Sequence, residues 1–302
     1  MATINYVRLK GIVLKDPMIV KKEGERPYVR AQIVVSRGLR KVDNGITYMM
    51  TDRPYLISTE ENVVSMFESV KDFDIIDVTG VITTRSINKT SRCPGCGAKH
   101  TESGVLTFVT PVFIEKTGHI DDEDMGLEYL SSIRPISNQV KVFGRLTRDP
   151  KKVIPKSGLV VTQYQIALLR SLTIKEDSPE IRVDYPWVKV YGARAEDEHL
   201  RLMNGSIVHL DGYLQTRIVN KHAVCEGCGT KFDWADKAME IVPYATEYVE
   251  NYRSDEEIAE EKQARIEQAK RDFHKKLSGG VSDEITEQDV ADGMDDLKNS
   301  GL

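Results

Sequence analysis

Apolar and polar positions alternate at period two through most of the first 250 residues. Tyr6 to Val13 and Val140 to Leu146 each show the alternation of a half-buried strand. Asp16-Pro17 and Asp149-Pro150 end those strands with a turn. Tyr28 to Arg37 and Leu159 to Arg170 predict second strands. Ile46 to Ile57 and Arg182 to Tyr191 predict third ones. One helical segment follows in each half. Ser58-Thr59-Glu60-Glu61 has the signature of an N-cap with first-turn acids, leading into Val63, Val64 and Phe67. Its counterpart spans Ala193 to Met203. Long fourth strands then cover Ile75 to Ile87 and Ile207 to Val219, and last strands cover Leu106 to Ile114 and Met239 to Val249.

The two halves repeat one another. Asn5 to Gly11 matches Asn138 to Gly144 at an offset of 133, as do Asp16-Pro17 with Asp149-Pro150 and Arg37 with Arg170. From Asp52-Arg53-Pro54-Tyr55 and Asp184-Tyr185-Pro186-Trp187 onward the offset is 132. It holds for Gly80 and Gly212, Thr84-Arg85 and Thr216-Arg217, Asn88-Lys89 and Asn220-Lys221, and Pro111 and Pro243. The chain thus reads as two copies of one unit. The expected division is domain 1 over 1–117, a linker over 118–136, domain 2 over 137–250, a helix over 251–278 and an acidic tail over 279–302. Five strands with a helix between the third and fourth is the order of the OB-fold, a small five-stranded Greek-key barrel that takes oligonucleotides. The expected class is all-β, with two tandem OB-folds.

The charge is unevenly spread. The net charge is −5, but residues 250–302 hold 15 acids and 8 bases, which leaves +2 for 1–249. Overall acidity therefore does not oppose a polyanionic ligand, because the local field of a groove decides binding. No apolar run reaches the roughly 20 residues that span a bilayer. No signal peptide is visible, so a cytoplasmic location is expected.

All four cysteines fall in two Cys-x-x-Cys pairs, Cys93/Cys96 and Cys225/Cys228, again 132 apart. In a reducing compartment such knuckles are more often metal ligands than disulfides. The glycines after them, Gly97 and Gly229, permit the left-handed backbone of a zinc turn. Zinc needs four ligands and each copy supplies two thiols. One zinc can join the copies through all four. Alternatively, the first knuckle recruits His100 and the second His222 with a carboxylate. Metal shared between subunits, a redox use or no metal also remain open.

The second copy contains Asn138-x-Val-x-x-x-Gly-Arg-Leu-Thr-Arg-Asp-Pro150, Tyr191-Gly192-Ala193-Arg194-Ala195-Glu196, and the run from Asn204 to Arg217. In these segments it resembles the bacterial and phage-type single-stranded DNA-binding proteins. The first copy keeps Asn5, Gly11, Asp16-Pro17, Gly80 and Thr84-Arg85. It has Thr59-Glu60 where the second has Tyr191-Gly192. The zinc knuckles depart from the usual members. The resemblance implies sequence-independent binding of single-stranded DNA in replication, recombination or repair, with bases stacked on aromatics and phosphates on cations. It places Tyr185, Tyr191 and Val219 at the family's stacking positions. Trp187 shares the face of Tyr185, and Tyr55 matches Trp187 in the first copy. Arg37, Arg85, Lys89, Arg170, Arg217 and Lys221 are the expected phosphate contacts. Trp234, beside the second knuckle, either extends this surface or packs beneath the zinc turn.

Ser254-Asp255-Glu256-Glu257 predicts a capping box opening a helix of about 24 residues. Beyond it the acidic tail reads as disordered. The resemblance implies that such a tail recruits replication and repair proteins, and that two OB units per chain assemble as a homodimer. No catalytic constellation is visible, so no enzyme is expected. The alternatives are an RNA-binding OB-fold protein and a zinc-held adaptor in a replication or transcription assembly.

Overall fold

The fold is described by a computed structural model over residues 3–41, 47–171 and 183–278. The first repeat runs β1 (Asn5–Val13), β2 (Met18–Val20), β3 (Tyr28–Lys41), β4 (Thr47–Asp52), β5 (Tyr55–Ser58), α1 (Glu61–Phe67), β6 (Asp74–Arg92) and β7 (Lys99–His119). A helix, α2 (Glu123–Ser132), and a 3-10 turn (Arg134–Ile136) lead into the second repeat. That repeat runs β8 (Asn138–Leu146), β9 (Lys151–Val153), β10 (Val161–Leu169), β11 (Val183–Asp184), β12 (Trp187–Tyr191), α3 (Ala193–Arg201), β13 (Ile207–Val224) and β14 (Lys231–Glu250). The chain up to Tyr252 is one compact unit. The segment from Arg253 is another, built on α4 (Asp255–Ser278).

Each repeat closes into a barrel. In the first, β1 pairs with β6 and β3, β3 with β5, β6 with β7, and β5 with β7 in parallel at Leu56 and Val109. The second repeats this ring with β8, β10, β12, β14 and β13, and its parallel contact is Val188 with Ile241. This is the OB-fold connectivity. The alternating residues of the strands fill one continuous core, including Leu9, Ile33, Leu56 and Ile76 from one barrel and Tyr164, Ile166, Leu210 and Ile241 from the other.

The expected third strands are each split. Pro54 and Pro186 cannot donate to a ladder, so β4 is separated from β5 and β11 from β12. The repeated glycines sit at bulges of β6 and β13, where Gly80 faces Pro111 and Gly212 faces Pro243. A Cβ on Gly212 would lie 2.2 Å from the Val242 carbonyl oxygen, so only glycine fits. Within the expected linker over 118–136, an acidic run caps a helix. Asp122 accepts a hydrogen bond from Met125 N–H, and α2 places Leu130 against Ile12, Val34, Ile75 and Ile120. The two barrel helices start differently. Gly192 enters α3 at φ 68°, whereas Glu60 enters α1 at φ −74° with no side-chain cap bond.

The barrels are joined edge to edge. β1 and β8 pair antiparallel about Val7 and Val140, which makes the sheet continuous through both repeats. A reciprocal lock flanks this ladder. Asp52 is fully buried, receives the Arg37 guanidinium at 2.8 Å and accepts the Thr216 N–H of the other repeat at 2.6 Å. Asp184 likewise receives Arg170 and accepts the Thr84 N–H at 2.6 Å. Thr216 and Thr84 in turn accept from the N–H groups of Arg53 and Tyr185, both at 2.9 Å. Burial pushes the Asp52 carboxyl above its usual range, against the pull of the Thr216 N–H and Arg37.

In the C-terminal unit α4 opens with the anticipated capping box. Glu257 accepts from Ser254 N–H at 2.8 Å, and Ser254 Oγ accepts from Glu257 N–H at 3.2 Å. The expected tail over 279–302 lies outside the described residues. No helix among the described residues is long and apolar enough to cross a membrane.

The lock gives a ranked mutational outcome. Asp184→Ala takes the buried carboxylate from Arg170, whose side chain is 1% exposed, and should cost about 3–5 kcal/mol in urea unfolding. Asp52→Ala should cost less, because the Arg37 side chain is 15% exposed and is hydrated more easily. Equal or negligible losses would contradict the lock.

Candidate nucleic-acid interface and four-cysteine centre

The fourth and fifth strands of each barrel continue past it as two-stranded ribbons, β6–β7 and β13–β14. Each ribbon carries a knuckle at its tip. The knuckle turns are alike. Cys93 N–H donates to Ala98 O and Gly97 N–H to Cys93 O; Cys225 N–H donates to Thr230 O and Gly229 N–H to Cys225 O. Gly97 and Gly229 sit at φ 73° and 71°.

The two tips meet. Cys93 Sγ lies 3.6 Å from Cys228 Sγ, Cys96 Sγ lies 3.6 Å from Cys225 Sγ, and all four sulfurs fall within 4.8 Å of one another. A disulfide needs about 2.05 Å. A tetrahedron of thiolates around zinc, with bonds of about 2.3 Å, spaces its sulfurs about 3.8 Å apart. The donor set and spacing therefore fit one four-coordinate ion held by both repeats. The four thiols also polarise one another. The Thr230 hydroxyl and backbone N–H lower Cys228 to about 6. The Ala98 N–H pulls Cys96 down, but Cys228 and Cys225 outweigh it and push Cys96 up to about 12.

The histidines lie elsewhere. His222 Nδ1 is 2.6 Å from Asp233, and the His100 ring packs 5.4 Å from Trp234 and 6.0 Å from Phe232. Cys93, Cys225 and Phe232 form a small buried cluster against which Trp234 packs. Trp234 therefore supports the cysteine turn.

The ribbon stems and both barrels line one groove of about 910 Å³. It holds Tyr55 and Trp187, the equivalent aromatics of the two repeats. The Arg148 guanidinium lies 5.4 Å from the Trp187 ring centre, and the Arg30 guanidinium lies 4.6 Å from that of Tyr55. Arg217, Val219, Lys89 and Lys221 also line it. Tyr191 lies half-buried on the outer face of β12, its hydroxyl 3.0 Å from Gln215 Oε1. Tyr185 is exposed beside the Thr84 junction.

Most of the expected phosphate contacts are engaged within the protein. Arg170 is a correction, because its buried side chain and ion pair with Asp184 keep it from the surface. Arg37 is held on Asp52 but keeps part of its side chain exposed. Arg217 makes a two-pronged pair with Glu240 at 2.8 Å per bond. Lys89 binds Asp236 at 2.6 Å and Lys221 binds Glu102 at 2.6 Å, each reaching the opposite repeat. Arg85 lies over the Phe108 ring.

The groove adds Arg30, Gln32, Arg53, Gln163 and Lys237, which sequence reasoning missed. A signal existed. Val29, Ala31 and Ile33 are buried, so period-two alternation turns Arg30 and Gln32 outward on β3.

Residues 137–225 match the family model for the single-strand binding protein family. Single-stranded DNA-binding protein B of Bacillus subtilis is 38% identical over 80 residues, which are 26% of this chain and 69% of that protein. Single-stranded DNA-binding protein 1 of Staphylococcus aureus is 35% identical over 80 residues, spanning 50% of its own length. The crystal structure of the wild-type single-stranded DNA binding protein from Thermus aquaticus is similar in fold across both repeats. Its TM-score is 0.53 at 16% identity, over 84% of this chain and 97% of that one. A deletion mutant of the same protein gives a TM-score of 0.54. On the barrel topology and the match to the Bacillus subtilis protein, the chain belongs to the single-strand binding protein family.

Proposed function

We propose that this chain binds single-stranded DNA without sequence preference, in the groove shared by its two repeats, and serves replication, recombination or repair. The observation that carries this reading is the pairing of Tyr55 and Trp187 in one groove with cations at their rings. Every base has a π-face and every nucleotide a charge, so such a surface is indifferent to sequence. A groove made by both repeats also gives the ribbons a purpose. Their stems form its walls, and the ion pairs from Lys89 and Lys221 to the opposite repeat hold the walls together.

In the same reading the four cysteines hold one structural zinc ion. It would cross-link the ribbon tips and fix the spacing of the groove walls, with no part in any reaction. The acidic segment over 279–302 would recruit partner proteins of the DNA-processing machinery. Its charge keeps it off the phosphates.

The binding claim is tested by titrating a fluorescent dT oligonucleotide at two salt concentrations, following anisotropy and tryptophan fluorescence. Binding should be tight and salt-sensitive. Trp187→Leu should weaken it by about 1–3 kcal/mol. It should also abolish the quenching, since the other of the two tryptophans, Trp234, lies under the knuckles. No binding at low salt would sink the reading. For the metal, purified protein should contain one zinc per chain, and Cys93→Ser and Cys225→Ser should each abolish it. Full zinc retention by either variant would rule out the shared site. Deleting residues 282–302 should leave DNA affinity intact or raise it, and should abolish capture of partners from extract. A large loss of affinity would refute the tail's role.

A further inference from the structure

Each aromatic of the groove has an arginine at its ring, Arg30 at Tyr55 and Arg148 at Trp187, but the charged residues lining the groove are not symmetric. Asp236 is matched by Lys89 and Lys221, and Glu240 by Arg217 and Lys189. That leaves Arg30, Arg53 and Lys237, which have no carboxylate partner among the described residues. All three belong to the Tyr55 half. Arg30 lies over the ring, and Lys237 comes from the other repeat to donate to the Tyr55 hydroxyl at 3.3 Å, with its Nζ 5.7 Å from the ring centre. Arg53 is two residues from Tyr55 across Pro54. At the positions equivalent to Arg30, Arg53 and Lys237 the other half has Gln163, Tyr185 and Val105.

Two such cations at one phenol, with Arg53 lining the same groove, form a concentrated positive site. The Tyr55 hydroxyl responds to it. Burial raises its pKa, but Lys237 and Arg30 outweigh burial and bring it below that of an ordinary tyrosine. Arg30 takes one face of the ring, and Lys237 sits at its hydroxyl end. The hydroxyl and its neighbours suit an oxygen-rich anion.

We propose that Arg30, Arg53, Tyr55 and Lys237 form a phosphate-binding pocket for the DNA backbone, and that base stacking in the groove belongs to the Trp187 half. This rests on the DNA-binding reading above. The repeats thereby divide the work of one groove, and a strand laid across it meets phosphate recognition on one side and stacking on the other. Its two directions are not equivalent.

The test compares Tyr55→Phe, Tyr55→Leu, Lys237→Met and Arg30→Met with the intact chain in dT titrations over a salt series, each variant checked for an unchanged thermal midpoint. In a phosphate pocket Tyr55→Phe loses as much affinity as Tyr55→Leu. Lys237→Met and Arg30→Met each reduce the slope of log K against log salt by about 0.7. Trp187 quenching at saturation stays intact throughout. If Tyr55→Phe binds like the intact chain while Tyr55→Leu is weak, Tyr55 stacks a base and the pocket is refuted. An unchanged salt slope in both cation variants refutes it equally. Failure of the intact chain to bind dT would instead remove the DNA-binding reading itself.

Discussion

The antiparallel ladder between β1 and β8 is the constraint on which everything else depends. Pairing Val7 with Val140 sets two barrels edge to edge about a local two-fold relation. It therefore also sets where every other equivalent pair must meet. Asp52 reaches Thr216 and Asp184 reaches Thr84 because that relation brings the third strand of one repeat to the fourth strand of the other. Further along the ribbons it brings four sulfurs together within 4.8 Å. A strand edge left open on either barrel would be a site for unwanted pairing. Here each edge covers the other, and a central groove results.

The arrangement explains how a chain of net charge −5 can carry a polyanion site. Within the groove the carboxylates Asp236 and Glu240 are consumed by internal ion pairs, and the cations left over gather at Tyr55. Such partly buried pairs contribute modestly to stability, but they fix the ribbons in register. The cysteine centre acts on the same ribbons from their tips. Structural rigidity and ligand recognition thus share the same two hairpins, one at the stem and the other at the end.

Much of this was legible in the sequence because the repeat makes each element appear twice. The barrels, the repeated glycines and prolines and the paired knuckles all follow from the offsets of 133 and 132. The capping box of α4 was equally plain, since Ser254 and Glu257 act locally. The full length of the ribbons was not legible. Beyond Ile87 and Val219 neither face of the hairpin is buried, so Asn88 to Arg92 and Asn220 to Val224 show no hydrophobic alternation. The roles of Arg37 and Arg170 were also hidden. A sequence displays a charge but not its partner, and the carboxylates that take these arginines lie a strand away at Asp52 and Asp184. Helix α2 was missed because its acidic cap, Asp121 to Asp124, reads as a solvated run until Leu130 is seen to have a core to meet.

The central claim is that one strand of DNA occupies one groove made by both repeats. Photocrosslinking of an oligonucleotide containing 5-iodouracil, followed by mapping of the modified peptides, tests it most directly. The account predicts crosslinks to Trp187 and to groove-lining peptides of the first repeat from the same bound strand, at one oligonucleotide per chain. Crosslinks confined to the outer face of one barrel, with no groove-lining peptide modified, would contradict it.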